Sequence, residues 1–411
     1  MKNNYLFLAV LIIFTAVSCK KNPLKPVTNL PSCSGPPDIV SQNSFPSTMA
    51  NQDELTQQVQ IARDANGNIY TVGPYTGTIS LGSFTLSGGS FSLKKNDPTG
   101  KILYAKNINL PVSPDYNVNA DSLQNVYLCY LSLNLPYNIV INLNKYDSQG
   151  NLSWTKQIPF NMDVYLPYVT VSNSGKIFMS LNNFSNPIDS IYWAGYGNLL
   201  YVFDTNGNLT AKKNINSNIY AQAQVIYSGN LYALQYSSFT QGTTISKLAD
   251  DGTTLSTKIL NHSYDQNLYI DRKLNMYLFD TVSIKKIDTS LRTIWQVNTP
   301  VFNEFNTDDY GNVYVAGVFT GTKNFDVSSG TYNMTAKGST DNYMEKIDAS
   351  GKFAWAIQNL GNADKKHPLS SINSYVINQQ GYIYVTGYAV NTGTGNTDIF
   401  TTAYKQCTNK Q

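Results

Sequence analysis

Side chains able to do chemistry are sparse in this chain. It holds two His and four Cys among 411 residues. His262 follows Asn261 and His367 follows Lys366, and neither has a Ser or Cys nucleophile at a recognisable elbow. Both read as loop histidines. Asp64, Asn66 and Asn68 are spaced like the opening of a Ca²⁺ loop. The downstream Glu is missing, however, and the same turn recurs elsewhere without its carboxylates. An Asx turn explains the spacing better, and no metal site is expected. A quinone cofactor would need metal-ligating and acid–base residues that the sequence does not offer, so no cofactor and no catalytic set are expected. Trp154, Trp295 and Trp355 recur at one position of a repeated phrase. They read as packing between repeats. Tyr75 and Phe319 lie instead in segments rich in Gly and Thr, and they are the candidate contacts for a glycan or protein.

Composition narrows the class. Charged residues are 13% and the net charge is +3. That excludes a basic nucleic-acid tail and an acidic solvating tail. Thirty Tyr, 17 Phe and 42% hydrophobic residues can fill a sizeable core. No stretch after residue 20 carries a convincing helical period, so the elements that position any site must be strands.

The first residues read as an address. Lys2 precedes an apolar run, Tyr5 to Val17. That is shorter than the about 20 helical residues needed to span a bilayer, and the flanks fit a cleaved secretory signal. The run ends Ala16-Val17-Ser18-Cys19, which resembles the lipobox of bacterial lipoproteins. The resemblance implies that Cys19 is lipidated after removal of residues 1–18. Lys20 follows where an inner-membrane signal would carry Asp, so the outer membrane of the cell envelope is expected. Residues 19–32 then form a polar, Pro-rich tether. Residues 33–411 form the folded domain.

That domain uses one phrase seven times. Gly-Asn-apolar-aromatic, usually behind Asp or Asn, ends at Tyr70, Tyr127, Phe178, Tyr232, Tyr277, Tyr314 and Tyr384. Gln124 and Leu274 replace the Gly in two copies. A second phrase follows: Lys-x-Asp-x-x-Gly, then an aromatic four residues later. Lys95/Asp97/Gly100/Tyr104, Lys145/Asp147/Gly150/Trp154 and Lys346/Asp348/Gly351/Trp355 fit throughout. Alternating Val, Ile, Tyr and Thr flank both phrases, and Gly and Asn supply the turns. Each unit therefore reads as four antiparallel strands, a to d, and seven such units make an all-β, seven-bladed β-propeller. The link from each strand-d aromatic slot to the next strand-b aromatic is 19 to 29 residues, while the b–c connection absorbs most length variation.

The seventh unit ends after strand c. Its missing strand d must come from the N-terminus, or an edge stays open. Counting back from Tyr70 puts the closing strand near residues 38–47, with its aromatic at Phe45, seven residues after Asp38 as Trp154 is after Asp147. Cys407 takes the Asp slot after Lys405, and Cys33 precedes the borrowed strand. In an oxidising compartment a Cys33–Cys407 disulfide is expected. Cys129, inside a strand b, reads as a buried free thiol.

Units one and six share a further extension, Gly-Pro-Tyr-Thr-Gly-Thr from Gly73 and Gly-Val-Phe-Thr-Gly-Thr from Gly317. Together with the two phrases it resembles the bacterial SBBP β-propeller repeat over roughly residues 56–407. The resemblance implies the propeller fold and leaves function open, because propellers host many activities. The long b–c segments Gly73–Ser90, Gly317–Asn342 and Gly387–Asp398 point to recognition on the face shared by b–c and d–a links. The expectation is a monomeric, lipid-anchored, non-catalytic binding module for an unidentified protein or glycan, touching membrane only through its anchor. One alternative is a carbohydrate-active lyase or hydrolase with a carboxylate pair at the central channel. Another is an envelope assembly factor.

Overall fold

The computed structural model describes residues 35–47, 59–110 (except 76), 116–134, 138–160, 167–184, 196–216, 220–249 (except 228–229 and 238–241), 251–288 (except 262–266 and 272), 292–358, 360, 369–390 and 397–406. Cys19, Cys33, Cys407, His262 and His367 lie outside these residues. The described elements are strands, and they form seven four-stranded antiparallel sheets plus two two-stranded ones. The seven sheets are the blades of a propeller. Blade 1 has strands a to d at Gln60–Arg63, Ile69–Pro74, Phe91–Asn96 and Ile102–Ile108. Blades 2 to 6 span 116–160, 168–216, 220–261, 267–298 and 304–358. Blade 7 takes strands a to c from Leu369–Ile377, Tyr382–Val390 and Thr397–Lys405, and strand d from Asp38–Ser47.

The repeated phrases explain the turns. Asp64 Oδ1 accepts the backbone N–H groups of Asn66 and Asn68, and Asp64 Oδ2 accepts Asn68 Nδ2 and the Tyr70 hydroxyl. Asp121 and Asp308 repeat this set with Tyr127 and Tyr314. In blade 3, Ser172 stands in the Asp slot and Phe178 in the Tyr slot, so the hydroxyl and its acceptor are lost together. The turn residue opposite must be left-handed. Gly67, Gly175, Gly311 and Gly381 supply it, and Gln124 and Leu274 adopt φ of 69° and 62° in its place.

The Lys slot joins neighbouring blades. Tyr70–Lys95–Tyr104, Tyr127–Lys145–Trp154, Tyr277–Lys286–Trp295 and Tyr314–Lys346–Trp355 are cross-strand neighbours on strands b, c and d. Each ammonium lies 5.4 or 5.5 Å from the centre of the tyrosine ring. It then donates to the next blade: Lys95 to Gln124 Oε1 at 2.7 Å, Lys145 to the Thr205 carbonyl at 3.0 Å, and Lys346 to Gln406 Oε1 at 2.7 Å. A cation over a ring in a partly desolvated seam contributes about 1–2 kcal/mol. Lys95, Lys286 and Lys346 are buried in these seams, and Lys145 is half-buried. In blades 2, 3 and 6 the Gly of the c–d turn packs on the aromatic of the preceding blade. A Cβ at Gly351 would come within 2.8 Å of the Trp295 ring, and one at Gly150 within 2.7 Å of Tyr104.

Every strand d carries a β-bulge at one equivalent place, next to the c–d turn. The register shifts between Lys95/Asn96, Lys145/Tyr146, Val202/Phe203, Lys247/Leu248, Lys286/Ile287, Lys346/Ile347 and, in the borrowed strand, Ile39/Ser41. The N-terminal strand therefore closes the ring with the geometry of a native strand d. The side-chain register differs from the sequence expectation. Ala403 pairs with Tyr384 and Ser41 with Ala403, so these two hold the Lys and aromatic slots. Lys405 pairs with Asp38, and Phe45 lies four residues further along, opposite Ile399. Counting from Asp38 fails because no c–d turn precedes this strand.

The two-stranded sheets are the extensions of blades 1 and 6. Thr78–Leu81 pairs with Phe84–Ser87, and Thr322–Asn324 with Asn333–Thr335. Both fold back along their own strand d instead of standing up as loops. Ile79, Leu81 and Leu86 pack with Tyr75 and Ala105. Phe325 and Met334 pack with Phe319, Tyr343 and Val297 of blade 5. Each hairpin thus wedges the cleft on the side of the preceding blade.

Candidate functional site

Tyr75 and Phe319 are buried, at 3% and 4% exposure. The Tyr75 hydroxyl bonds Asn107 Oδ1 and accepts the Gly89 N–H. Phe319 meets Phe325 edge-on at 5.2 Å. Both rings anchor the wedges, so the structure corrects the reading of them as surface contacts. The segments Gly73–Ser90 and Gly317–Asn342 are packed hairpins for the same reason. Residues 391–396 of the third long segment lie outside the described residues. Trp154 and Trp295 donate from Nε1 to carbonyls of the following blade, Thr205 and Ala349, which is the inter-blade packing their repetition implies. Cys129 is buried and free, and burial pushes its thiol up to about 12.

What remains for chemistry is the central channel, bordered by the seven strands a. The position two residues before the one opposite the strand-b aromatic carries Gln60, Asn117, Tyr168, Ala223, Asn267, Glu304 and Ser374. These sit toward the b–c/d–a end. Asn117 Nδ2 donates to the Pro167 carbonyl, and its Oδ1 is buried without a partner. Burial raises the Glu304 carboxyl from 4.5 to about 7. At the turn end, Arg63 of blade 1 reaches past blade 7 to Asp309 of blade 6, with Nη2 to Oδ1 at 3.0 Å. This ion pair borders a cavity of about 220 Å³ that is also lined by Tyr269, Asn306, Asp308 and Ile377. The Tyr269 hydroxyl donates to Asn306 Oδ1, and Asn306 Nδ2 donates to the Tyr375 carbonyl.

Sequence reasoning passed over all of these residues. One signal was present. Stacking the repeats puts Ala120, Val171, Ile226, Ile270, Thr307 and Ile377 at the position of Arg63. A lone Arg in an otherwise uncharged column marks a departure from the repeat. Among the described residues no cluster of three or more His, Cys, Asp or Glu could hold a metal ion.

No family model matches the chain, and no curated protein does. Solved structures similar to it include a Lactobacillus plantarum protein at 13% identity, covering 74% of this chain and 85% of that one, with a TM-score of 0.45. The polysaccharide lyase Uly1 is 8% identical over 85% of this chain and 90% of its own, with a TM-score of 0.46. The WD40 domain of SCAP from fission yeast is 9% identical over 90% and 91%, with a TM-score of 0.40. Likeness at this level carries no argument about activity. The fold stands on the strand pairing itself.

Proposed function

We propose that the chain is a lipid-anchored, non-catalytic binding module that engages a protein or glycan on its b–c/d–a face. The carrying observation is a contrast between the two ends of the wheel. The a–b and c–d turns repeat one hydrogen-bonded design from blade to blade. The opposite end of strand a breaks the repeat at each blade, with Gln60, Asn117, Glu304 and Ser374 replacing one another. Rigid strands that present unlike polar groups suit recognition. In strand d of blade 7, Asp38 pairs with Lys405 at the turn end and Ser47 with Thr397 at the other, so the described chain begins at the turn end.

The enzyme reading asked for two carboxylates at the channel mouth. Among the described residues Glu304 stands there without a second one, and Asp309 is tied to Arg63 at the far end. The test is a glycan array and a pull-down with residues 34–411, wild type against Asn117→Ala/Glu304→Ala. A partner whose affinity falls about tenfold, equivalent to 1.4 kcal/mol, supports the placement. A partner that binds both proteins equally refutes it.

A further inference from the structure

One position of strand c, just before the Lys slot, faces the preceding blade. It is ionisable in three blades, as Lys94, Lys285 and Glu345. Lys285 is half-buried, whereas Lys94 and Glu345 are 3% and 0% exposed. The two buried ones belong to blades 1 and 6, which carry the hairpin wedges. Lys94 borders a small cavity with Ile79 and Leu81 of its hairpin. An ionisable side chain is dry here only where a hairpin covers the cleft.

Glu345 is the more exacting case. It lies between Val315 of strand b and Ala356 of strand d, on the same face as Tyr343 and Ile347. Those four residues share one apolar cluster with Ile284 and Val297 of blade 5 and with Phe325 and Met334 of the hairpin. Neither oxygen of the Glu345 carboxyl has a hydrogen-bond partner in the protein. Such a site tolerates a neutral carboxyl and strongly disfavours a carboxylate. Burial and the nearby charge of Asp326, on the hairpin, act in the same direction. No cation offsets them. Lys323 and Lys337 of the hairpin segment are exposed. Lys286 of blade 5 is over the Tyr277 ring toward the turn end. Asp341, on the Glu345 face of strand c, accepts the Lys337 N–H and Gln358 Nε2. Strands b and d present no charge on this face.

The hairpin is an element that can move alone. Thr322–Asn324 and Asn333–Thr335 pair with each other and not with the four-stranded sheet. Bonds to strand d run from the Tyr332 hydroxyl to the Ala356 carbonyl, from Gln358 Nε2 to the Thr335 carbonyl, and from the Phe353 N–H to Ser328 Oγ. Gly321 and Gly338 bracket it.

We propose that the blade 6 hairpin is a pH-sensitive latch: it stays closed over Glu345 while that side chain is protonated, and ionisation of Glu345 swings it off the cleft between blades 5 and 6. The proton passes to solvent, and the carboxylate is hydrated in the open state. The sign follows from the raised carboxyl: the closed form is favoured at low pH and loses ground as pH rises. The latch does not depend on any partner of the varied face.

The test is hydrogen exchange on the full chain in detergent between pH 5 and pH 9, corrected for intrinsic rates. It is read at the amides of Phe325 and Ala336, which donate to the Tyr332 and Gly321 carbonyls. One proton released per opening raises the opening equilibrium about tenfold per pH unit above the ordinary carboxyl range. Protection of these amides should therefore fall about 100-fold from pH 6 to pH 8. Glu345→Gln should flatten the profile, and the amides of Asp341–Ile347 should stay better protected throughout. The blade 1 hairpin covers an amine, which loses its charge as pH rises, so it should not loosen. Should Glu345→Gln fail to fold, the contrast between the two hairpins of the wild-type chain decides. A pH-independent blade 6 hairpin, an unchanged slope in folded Glu345→Gln, equal protection of hairpin and strand c, or equal loosening of both hairpins overturns the proposal.

Discussion

At the scale of single residues, turn geometry and seam packing can be separated. Gly77 and Gly351 both have positive φ, 71° and 85°. A Cβ at Gly77 meets nothing within 4 Å, whereas one at Gly351 meets Trp295 at 2.8 Å. Gly77→Ala should cost about 1–2 kcal/mol from the left-handed backbone alone. Gly351→Ala should cost about 3 kcal/mol or more, because overpacking adds to the same backbone term. Denaturant midpoints of the two variants check this, and equal losses would contradict the seam. Titration gives a second prediction. Glu304 has its folded pKa raised from 4.5 to about 7, and burial also lifts Glu345 well above its ordinary value. A raised carboxyl favours the folded state below its unfolded pKa, and that contribution is lost as pH rises through the folded one. Stability should therefore fall between pH 5 and pH 8, by on the order of 3 kcal/mol from Glu304. Glu304→Gln should flatten that part of the profile. The turn aspartates Asp147, Asp280 and Asp348 are held below the usual carboxylate range by hydrogen bonds that outweigh their desolvation. They oppose this trend only below about pH 4.

At the scale of elements, the strands and tight turns were readable because each depends on residues within a few positions of one another. Asp64 and Tyr70, or Lys145 and Trp154, carry their spacing in the chain. The wedges were not readable. Gly and Thr around Tyr75 and Phe319 look like an exposed loop, and what buries these rings is the width of an outer inter-blade cleft, which no local pattern records. Phe319→Ala should accordingly cost about 3–5 kcal/mol, the range for an aromatic removed from a core. It should leave binding of any partner unchanged once the lost stability is offset by lower temperature. A ligand-contact residue would show the reverse, with weakened binding at little cost in melting temperature. The bulge shared by all strands d was equally hidden, since its extra residue is Leu103, Ser153, Thr210, Leu255, Ile294, Ala354 or Val40, with no single type throughout.

At the scale of the whole molecule, the blade count and the borrowed closing strand followed from counting repeats. The channel residues did not, because Arg63 and Asp309 become neighbours only when the ring shuts. A chain beginning at residue 48 lacks the nine pairings between Asp38–Ser47 and Thr397–Lys405. It should lose cooperative unfolding or aggregate, and a peptide of residues 36–48 should restore part of the transition. An unaltered melting curve would contradict closure by this strand. The Cys33–Cys407 disulfide remains a proposal, since both residues flank the Asp38–Lys405 pair outside the described residues. Non-reducing peptide mapping of secreted material should recover the two linked, and two alkylatable thiols would reject it.

The borrowed strand also has a mechanical consequence. It lies antiparallel to its neighbour, with the chain entering at Asp38 and leaving toward blade 1 beyond Ser47. A load applied through the residues before Asp38, and resisted by a partner gripping the far face, runs along the strand. It stresses all the rungs of that ladder together, in shear, instead of peeling them singly. A pull on the residues before Asp38 would thus load the latch that keeps the ring shut, and the geometry of that latch resists pulling in that direction.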